Sequence, residues 1–545
     1  MSVIWPFLAG VAAVLGAAAA SADPKVISTE VIGPFTGHDA PMHPDNLAPN
    51  RLAYYGTDLG FTYVHDGKIQ FIFGDTGADE EGIAIRASTE GLYDDTSGSV
   101  DLAKYPDPAQ FSPTNIPLIK ILQNPGTSEV GALDPGVPLE LFKTPIGGFS
   151  NGAREFGVFF TFKPTACRVD ADCGGGFTCD TGLGWYGNRH DDDKGITFTC
   201  PRGAPGCNVD PKNDAQGKPV EGSGFCSDRT SSIWGDTPQG HTASVGVKNL
   251  IGIRSTADPR KYGSTRAWST NKFSNASFQT VQDFTPGRAR VDYRNAATDS
   301  GARRVFVWGR PGFLGVNARG RTLGLYFAYV DLPRDENFKW QPHYFTGANA
   351  RGVPQFSTLE RDAVALDLDS SQPGSQPVEP VDLVNQQSIV WVEHLKKWVM
   401  FYGGGIVRVP LPPALMNCGL IELFVGAECK DVVVGDGSVR MRTADNPWGP
   451  WSPAKVVIAG GDPTHSPVEG LYARGGILYH PGCNQVGCAM RTDTPQVTAA
   501  DYGFLYAANI IQPWIKPVGK SVDVIWNVST WDPYRVVLMR TRIDP

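Results

Sequence analysis

The sequence predicts an all-β fold, and within that class a five-bladed β-propeller carrying a disulfide-rich insertion. Three observations predict it. Short runs dense in aromatic and β-branched residues recur along the chain, among them "REFGVFFTFKP" (154–164), "TLGLYFAYVDLP" (322–333), "QSIVWVEHLKKWVMFYGGG" (387–405), "ADYGFLYAANII" (500–511) and "YRVVLMRTRI" (534–543). Each is bounded by Gly, Pro, Asn or Asp, the punctuation of strands. No amphipathic helix longer than about three turns separates them. Finally, the strands are apolar on both faces, so both faces must be covered, and stacked small sheets satisfy that better than one open sheet. With 545 residues, long loops and an insertion, five blades fit better than seven or eight. A pair of sandwiches is the alternative.

Composition narrows the partners. The 63 glycines and 43 prolines suit many strands and turns, and the net charge of -8 comes with no strongly basic stretch. That excludes a nucleic-acid footprint and disfavours a polyanionic substrate. A neutral partner is expected.

Residues 1–22, "MSVIWPFLAGVAAVLGAAAASA", form an apolar run ending in the small-x-small pattern Ala20-Ser21-Ala22, which reads as a signal peptide. The absence of Lys or Arg before the run leaves an uncleaved anchor as the minority reading. The mature chain, 23–545, is expected to be secreted or periplasmic and to have no membrane segment after cleavage.

The stretch "GTDLGFTYVHDGKIQFIFGDTGA" (56–78) reads as a hairpin, with Asp66-Gly67 as a two-residue turn of positive φ. Paired positions about that turn sum to 133, so Val64 faces Ile69, Thr62 faces Phe71, Gly60 faces Phe73 and Asp58 faces Asp75. Like charges directly opposite destabilise a sheet. Either the hairpin flares there and both groups are solvated, or the pair is an acid/base couple whose crowding separates the two ionisations.

Ten cysteines agree with export. Cys167, Cys173, Cys179, Cys200, Cys207 and Cys226 define an insertion over 165–228, stapled by disulfides among themselves. The close pairs Cys418/Cys429 and Cys483/Cys488 are expected to bond within each pair. No metal is expected: no C-x-x-C or paired histidine spacing points to zinc, and the Asp170-x-Asp172 stretch lacks the glutamate of a calcium loop, position 181 being Thr.

The elements "GTDLGF", "DGKIQFIFGDT", "SIVWVEHLKKWVMFYGGG", "MRTADNPWGPWSPA" (441–454) and "WNVSTWDPYRVVLMRTRI" (526–543) resemble, in order and spacing over most of 50–543, the family 183 glycoside hydrolases, once catalogued as domain of unknown function 4185. The resemblance implies a five-bladed propeller and endo-acting hydrolysis of D-arabinan, the furanose polymer of mycobacterial cell walls. Two aspartates of the first blade are the catalytic pair it implies. Carried over by position they are Asp58 of GTDLGF and Asp75 of FGDT, the two residues that counting from the turn also reaches. The polysaccharide is then the partner, and no cofactor is needed.

That chemistry uses one carboxylic acid to protonate the leaving oxygen and one carboxylate as nucleophile or as base for water. His465 and Glu469 in "GGDPTHSPVEGLYARGG" are candidate substrate contacts on a turn-rich approach to a strand. Trp308 and Trp391 are candidate sugar-stacking platforms, as are Trp448, Trp451, Trp526 and Trp531, although most propeller tryptophans pack between blades. Glu393, and Asp228 with Arg229, read as solvated loop groups. No nucleophile elbow, phosphate loop or H-E-x-x-H motif occurs. The competing reading is a propeller that only binds carbohydrate or protein.

Overall fold

In this computed structural model the described residues are 23–37, 40–41, 43–46, 56–77, 95–135, 142–162, 248–269, 272–273, 275–285, 303–310, 324–333, 339–349, 352–368, 383–404, 438–458, 505–530 and 535–545, with short strand segments at 166–167, 178–180, 224–227, 288–290, 407–410 and 431–434. Among the described residues every strand pair but one isolated bridge is antiparallel, and the strands gather into five large sheets in chain order, with three smaller sheets of two or three strands in the connections. Blade 1 comprises Gly56–His65, Lys68–Gly77, Thr96–Asp101 and Lys120–Ile121. Blade 2 comprises Phe142–Ser150, Glu155–Phe162, Lys248–Arg254 and Tyr262–Ser269. Blade 3 comprises Asn275–Val281, Arg303–Arg310, Tyr326–Leu332 and His343–Ala348, with Pro354–Ser357 at its edge. Blade 4 comprises Leu383–Val392, Lys397–Gly404, Ser438–Ala444 and Lys455–Ile458. Blade 5 comprises Leu505–Ile510, Ser521–Thr530 and Arg535–Asp544, and its outermost strand is the N-terminal segment Lys25–Pro34. The first strand of each blade touches the first strands of both neighbours, closing a ring: the protein is a five-bladed β-propeller. Pairing of Lys25–Pro34 with Arg535–Asp544 fastens the two ends of the chain into one blade.

The two-faced apolar strands are explained by what lies between the blades. Five buried clusters occupy the five interfaces. In the second strand of blade 1, Ile69, Phe71 and Phe73 join the cluster shared with blade 5, whereas Ile72 joins the one shared with blade 2. Alternation with period two therefore serves two cores at once, each buried side chain contributing about 1.5–3 kcal/mol.

Registers orient the ring. A cavity of about 80 Å³ on the axis is lined by the later halves of all five inner strands, including Thr62, Ser150, Gln279, Ser388 and Ile510, so the five run the same way. Their early halves define the opposite end of the axis. In blade 2, Phe142 pairs with Phe162 and Lys248 with Thr161, which puts both stems of the long connection 163–247 at that opposite end. The other two longest connections, 405–437 and 459–504, leave from the same end.

The cysteine-rich insertion is a connection between the second and third strands of blade 2. It contains its own three-stranded sheet, Ala166–Cys167, Gly224–Ser227 and Thr178–Asp180, in which Cys179 lies directly opposite Cys226. Cys167 faces Gly224 in the same sheet, and the other seven cysteines lie outside the described residues. The run 387–405 forms a second hairpin, Val392 pairing with Lys397 around the turn 393–396. Among the described residues no helix is long and apolar enough to cross a membrane.

Candidate active site

The hairpin of blade 1 begins as the sequence predicts. Asp66 and Gly67 take φ of 46° and 70°, and Val64 faces Ile69 and Thr62 faces Phe71. Above Phe61, which faces Ile72, the register departs from the count: Leu59 faces Phe73, and Thr57 faces Thr76. The expected direct pairs Gly60–Phe73 and Asp58–Asp75 are therefore not formed. Gly60 is an extra residue on the inner strand, and one step higher Asp58 stands against two residues, Gly74 and Asp75. Two compensating bulges restore the ladder at Thr57. Asp58 and Asp75 still share one interval, at the end of the axis from which the long connections leave.

The physical cause is a pair of left-handed residues. Leu59 has φ of 65° and Gly60 of 70°. Left-handed backbone costs a non-glycine residue about 1–2 kcal/mol, and it persists only where the surroundings hold it. Blade 5 supplies that hold. The Asn509 side-chain amide donates to the Leu59 carbonyl at 2.8 Å, and the Asn527 amide donates to the Gly60 carbonyl at 2.9 Å. A side chain on Gly60 would crowd Asn527, its Cβ standing 3.1 Å from Oδ1. On the other flank Thr76 Oγ1 donates to the Gly74 carbonyl, and Thr57 Oγ1 lies 2.8 Å from Thr76 Oγ1.

The bulge aims Asp58. Its side chain is 9% exposed, and its Oδ2 accepts a hydrogen bond from the Tyr506 hydroxyl at 2.9 Å. Tyr506 is the second residue of the inner strand of blade 5, beside Leu59, Phe61 and Ala507 in a small apolar cluster. A buried, oriented carboxylate at the axial mouth of a ring is equipped for proton transfer or nucleophilic attack on a ligand entering along the axis. The side chain of Asp75 lies outside the described residues, as do His465, Glu469, Asp228 and Arg229.

Trp308 and Trp391 do not offer faces to a ligand. Trp308 is fully buried, its indole N–H donating to the Pro447 carbonyl at 2.7 Å. Trp391 is 3% exposed and donates to Glu393 Oε2 at 2.7 Å. Both belong to the core between blades 3 and 4, where rings as large as indole fill the widening space between twisted sheets. Trp448, Trp451 and Trp526 are buried likewise, and Trp531 is outside the described residues. Glu393 sits in an exposed turn at the far end of the axis, paired with Lys396.

Sequence reasoning missed the polar residues that surround Asp58. Tyr506, Asn509 and Asn527 lie in runs otherwise apolar, and an asparagine inside such a run is the signal that was available. Gln386, early in the inner strand of blade 4, is 2% exposed, and neither atom of its amide meets a protein hydrogen-bond partner. Arg310 ends the second strand of blade 3 at the same axial end, opposite Asn275, and burial pulls its guanidinium down to about 9. Among the described residues no group of three or more His, Cys, Asp or Glu gathers as metal ligands would.

No protein-family model matches the sequence, and no curated protein matches it. Solved structures similar to it include an alpha-L-arabinofuranosidase from Podospora anserina in complex with cellotriose, at 9% identity and a TM-score of 0.31, covering 96% of this chain and 98% of that one. A sialidase from Trypanosoma rangeli is similar at 9% identity and a TM-score of 0.31, covering 95% of this chain and 59% of the other. A GH62 hydrolase in complex with xylotriose is similar at 9% identity and a TM-score of 0.27, covering 95% and 97%.

Proposed function

We propose that the chain is a secreted glycoside hydrolase of the family 183 type, cleaving α-D-arabinofuranosyl linkages in mycobacterial-type arabinan with Asp58 and Asp75. The observation that carries this reading is the placement of Asp58: buried, held by a strained bulge at the axial mouth, and adjacent in the ladder to a second aspartate. A module that only binds sugar gains nothing from two aspartates in one interval of the ladder. A hydrolase does, because an oxocarbenium-like transition state needs one group to protonate the leaving oxygen and another to attack or to activate water. The net charge of -8, without a basic stretch, suits a neutral polysaccharide.

Incubating the purified protein with mycobacterial arabinogalactan and with plant L-arabinan, followed by product chromatography, tests the reading. Oligosaccharides from the former and not the latter are expected. Release from neither overturns it and leaves the binding propeller.

A further inference from the structure

Two left-handed residues face each other across the closure of the ring. Leu59 follows Asp58 with φ of 65°, and Ala507 follows Tyr506 with φ of 52°. Neither is a glycine, and each lies in a register shift of its own inner strand. One side chain serves both: the Asn509 amide nitrogen donates to the Leu59 carbonyl at 2.8 Å and to the Ala507 carbonyl at 2.8 Å. Asn509 is 4% exposed, and its nitrogen also lies 3.4 Å from Asn527 Oδ1, Asn527 itself bonding Gly60. Matched departures from strand geometry, tied by one buried amide, bring two particular side chains together: the Tyr506 hydroxyl and the Asp58 carboxylate.

We propose that Tyr506 is a positioning residue that holds Asp58 as the ionised member of the catalytic pair, with Asn509 fixing the two strands that carry them, so that Asp58 attacks or activates water while Asp75 donates the proton. This rests on the hydrolase reading above. A hydroxyl that donates to a carboxylate makes a charge-assisted bond, stronger than its bond to the neutral acid, and so favours the ionised form. Strain retained at this one point and satisfied by buried amides is how folds hold reactive groups in position.

Tyr506→Phe removes the donor and keeps the ring in its apolar cluster. Two measurements on it test the proposal. In protein labelled with 13C at aspartate carboxyls, the Asp58 signal, identified by its loss in Asp58→Asn, is expected to titrate at higher pH in Tyr506→Phe than in the unsubstituted protein. In arabinan hydrolysis, kcat is expected to fall tenfold or more with KM changed less than threefold, and the acidic limb of the pH profile to move upward. Asn509→Ala should lower kcat in the same manner. An Asp58 signal that titrates at the same pH with and without the Tyr506 hydroxyl overturns the proposal, whatever the activity. A signal that moves in a protein with no hydrolysis of any arabinan leaves the contact standing and overturns the hydrolase reading instead.

Discussion

Gly74 lies directly beneath Asp58: a Cβ built on Gly74 would stand 2.3 Å from Asp58 Oδ1 and 2.7 Å from Leu59 Cδ1. No side chain at residue 74 fits unless the carboxylate moves. Gly74→Ala should therefore displace Asp58 while leaving the five interfaces between blades intact. A misplacement of about 1 Å costs a reaction roughly a hundredfold. The expected outcome is a loss of that order in kcat, with the melting temperature reduced by a few degrees at most. Unchanged turnover in a folded Gly74→Ala protein would show that the Asp58 carboxylate does not act in the reaction.

Replacing either aspartate by asparagine separates chemistry from scaffold. In Asp58→Asn the amide oxygen can still accept from Tyr506, so little stability should be lost, while turnover falls by about 10²–10⁴. Asp75→Asn should lose turnover to a comparable degree. A variant that melts several degrees lower yet keeps normal specific activity would mark the pair as scaffold and move the search to Glu469 and Asp228, because Glu393 lies at the far end of the axis.

Gln386 provides a test of ligand contact. Its buried amide has no protein partner, so removing the amide leaves no donor or acceptor unsatisfied and should cost no stability. Gln386→Met is expected to melt at the same temperature or slightly higher and to raise KM for arabinan several-fold. A clear drop in melting temperature would show that the amide serves the fold.

His65 should govern part of the acid sensitivity. It lies at the far end of the axis, its Nδ1 2.8 Å from Ser150 Oγ, and burial lowers its ionisation below the usual 6.5, with Glu155 and Asp66 opposing and Arg254 and Arg303 assisting. Because the folded protein disfavours the protonated ring, the unfolded chain takes up the proton first. The stabilising contribution is complete above about 6.5 and declines as pH falls from there toward the lowered folded value. His65→Gln should flatten the dependence of melting temperature on pH between about 7 and 5 without altering kcat. A dependence of unchanged slope would assign the acid sensitivity elsewhere.

Trp308 should matter to stability alone. Trp308→Phe removes the hydrogen bond to Pro447 and leaves that carbonyl unsatisfied, a loss of about 1–3 kcal/mol read as a lower melting temperature. KM should stay the same. A raised KM in a fully folded variant would return the indole to the ligand.

The blades were legible in the sequence because they are local objects. A turn such as Asp66-Gly67 and runs such as "IQFIF" or "SIVWV" carry strand, hairpin and two-faced burial in their own residues, and blades built from consecutive strands follow chain order. The position of Asp58 and Asp75 beside one another was legible too, since hairpin register propagates from the turn. Their exact pairing was not, because the bulge at Leu59 and Gly60 depends on amides of Asn509 and Asn527 that lie hundreds of residues away in the chain. The tryptophans failed for a related reason: a sugar platform and a wedge between blades are the same residue type in the same kind of strand, and only the neighbouring blade decides which.

The sequence by itself determined the all-β class, the hairpins, the long connection through the cysteine-rich segment, and the two aspartates at one point of the first blade, all of which rest on contacts between near neighbours. Only the tertiary structure decided that the last blade is completed by the N-terminal strand, that Tyr506 meets Asp58, and that the expected aromatic platforms are core. Those facts depend on closing the ring, which brings blade 5 against blade 1 and makes distant residues partners that no local pattern encodes.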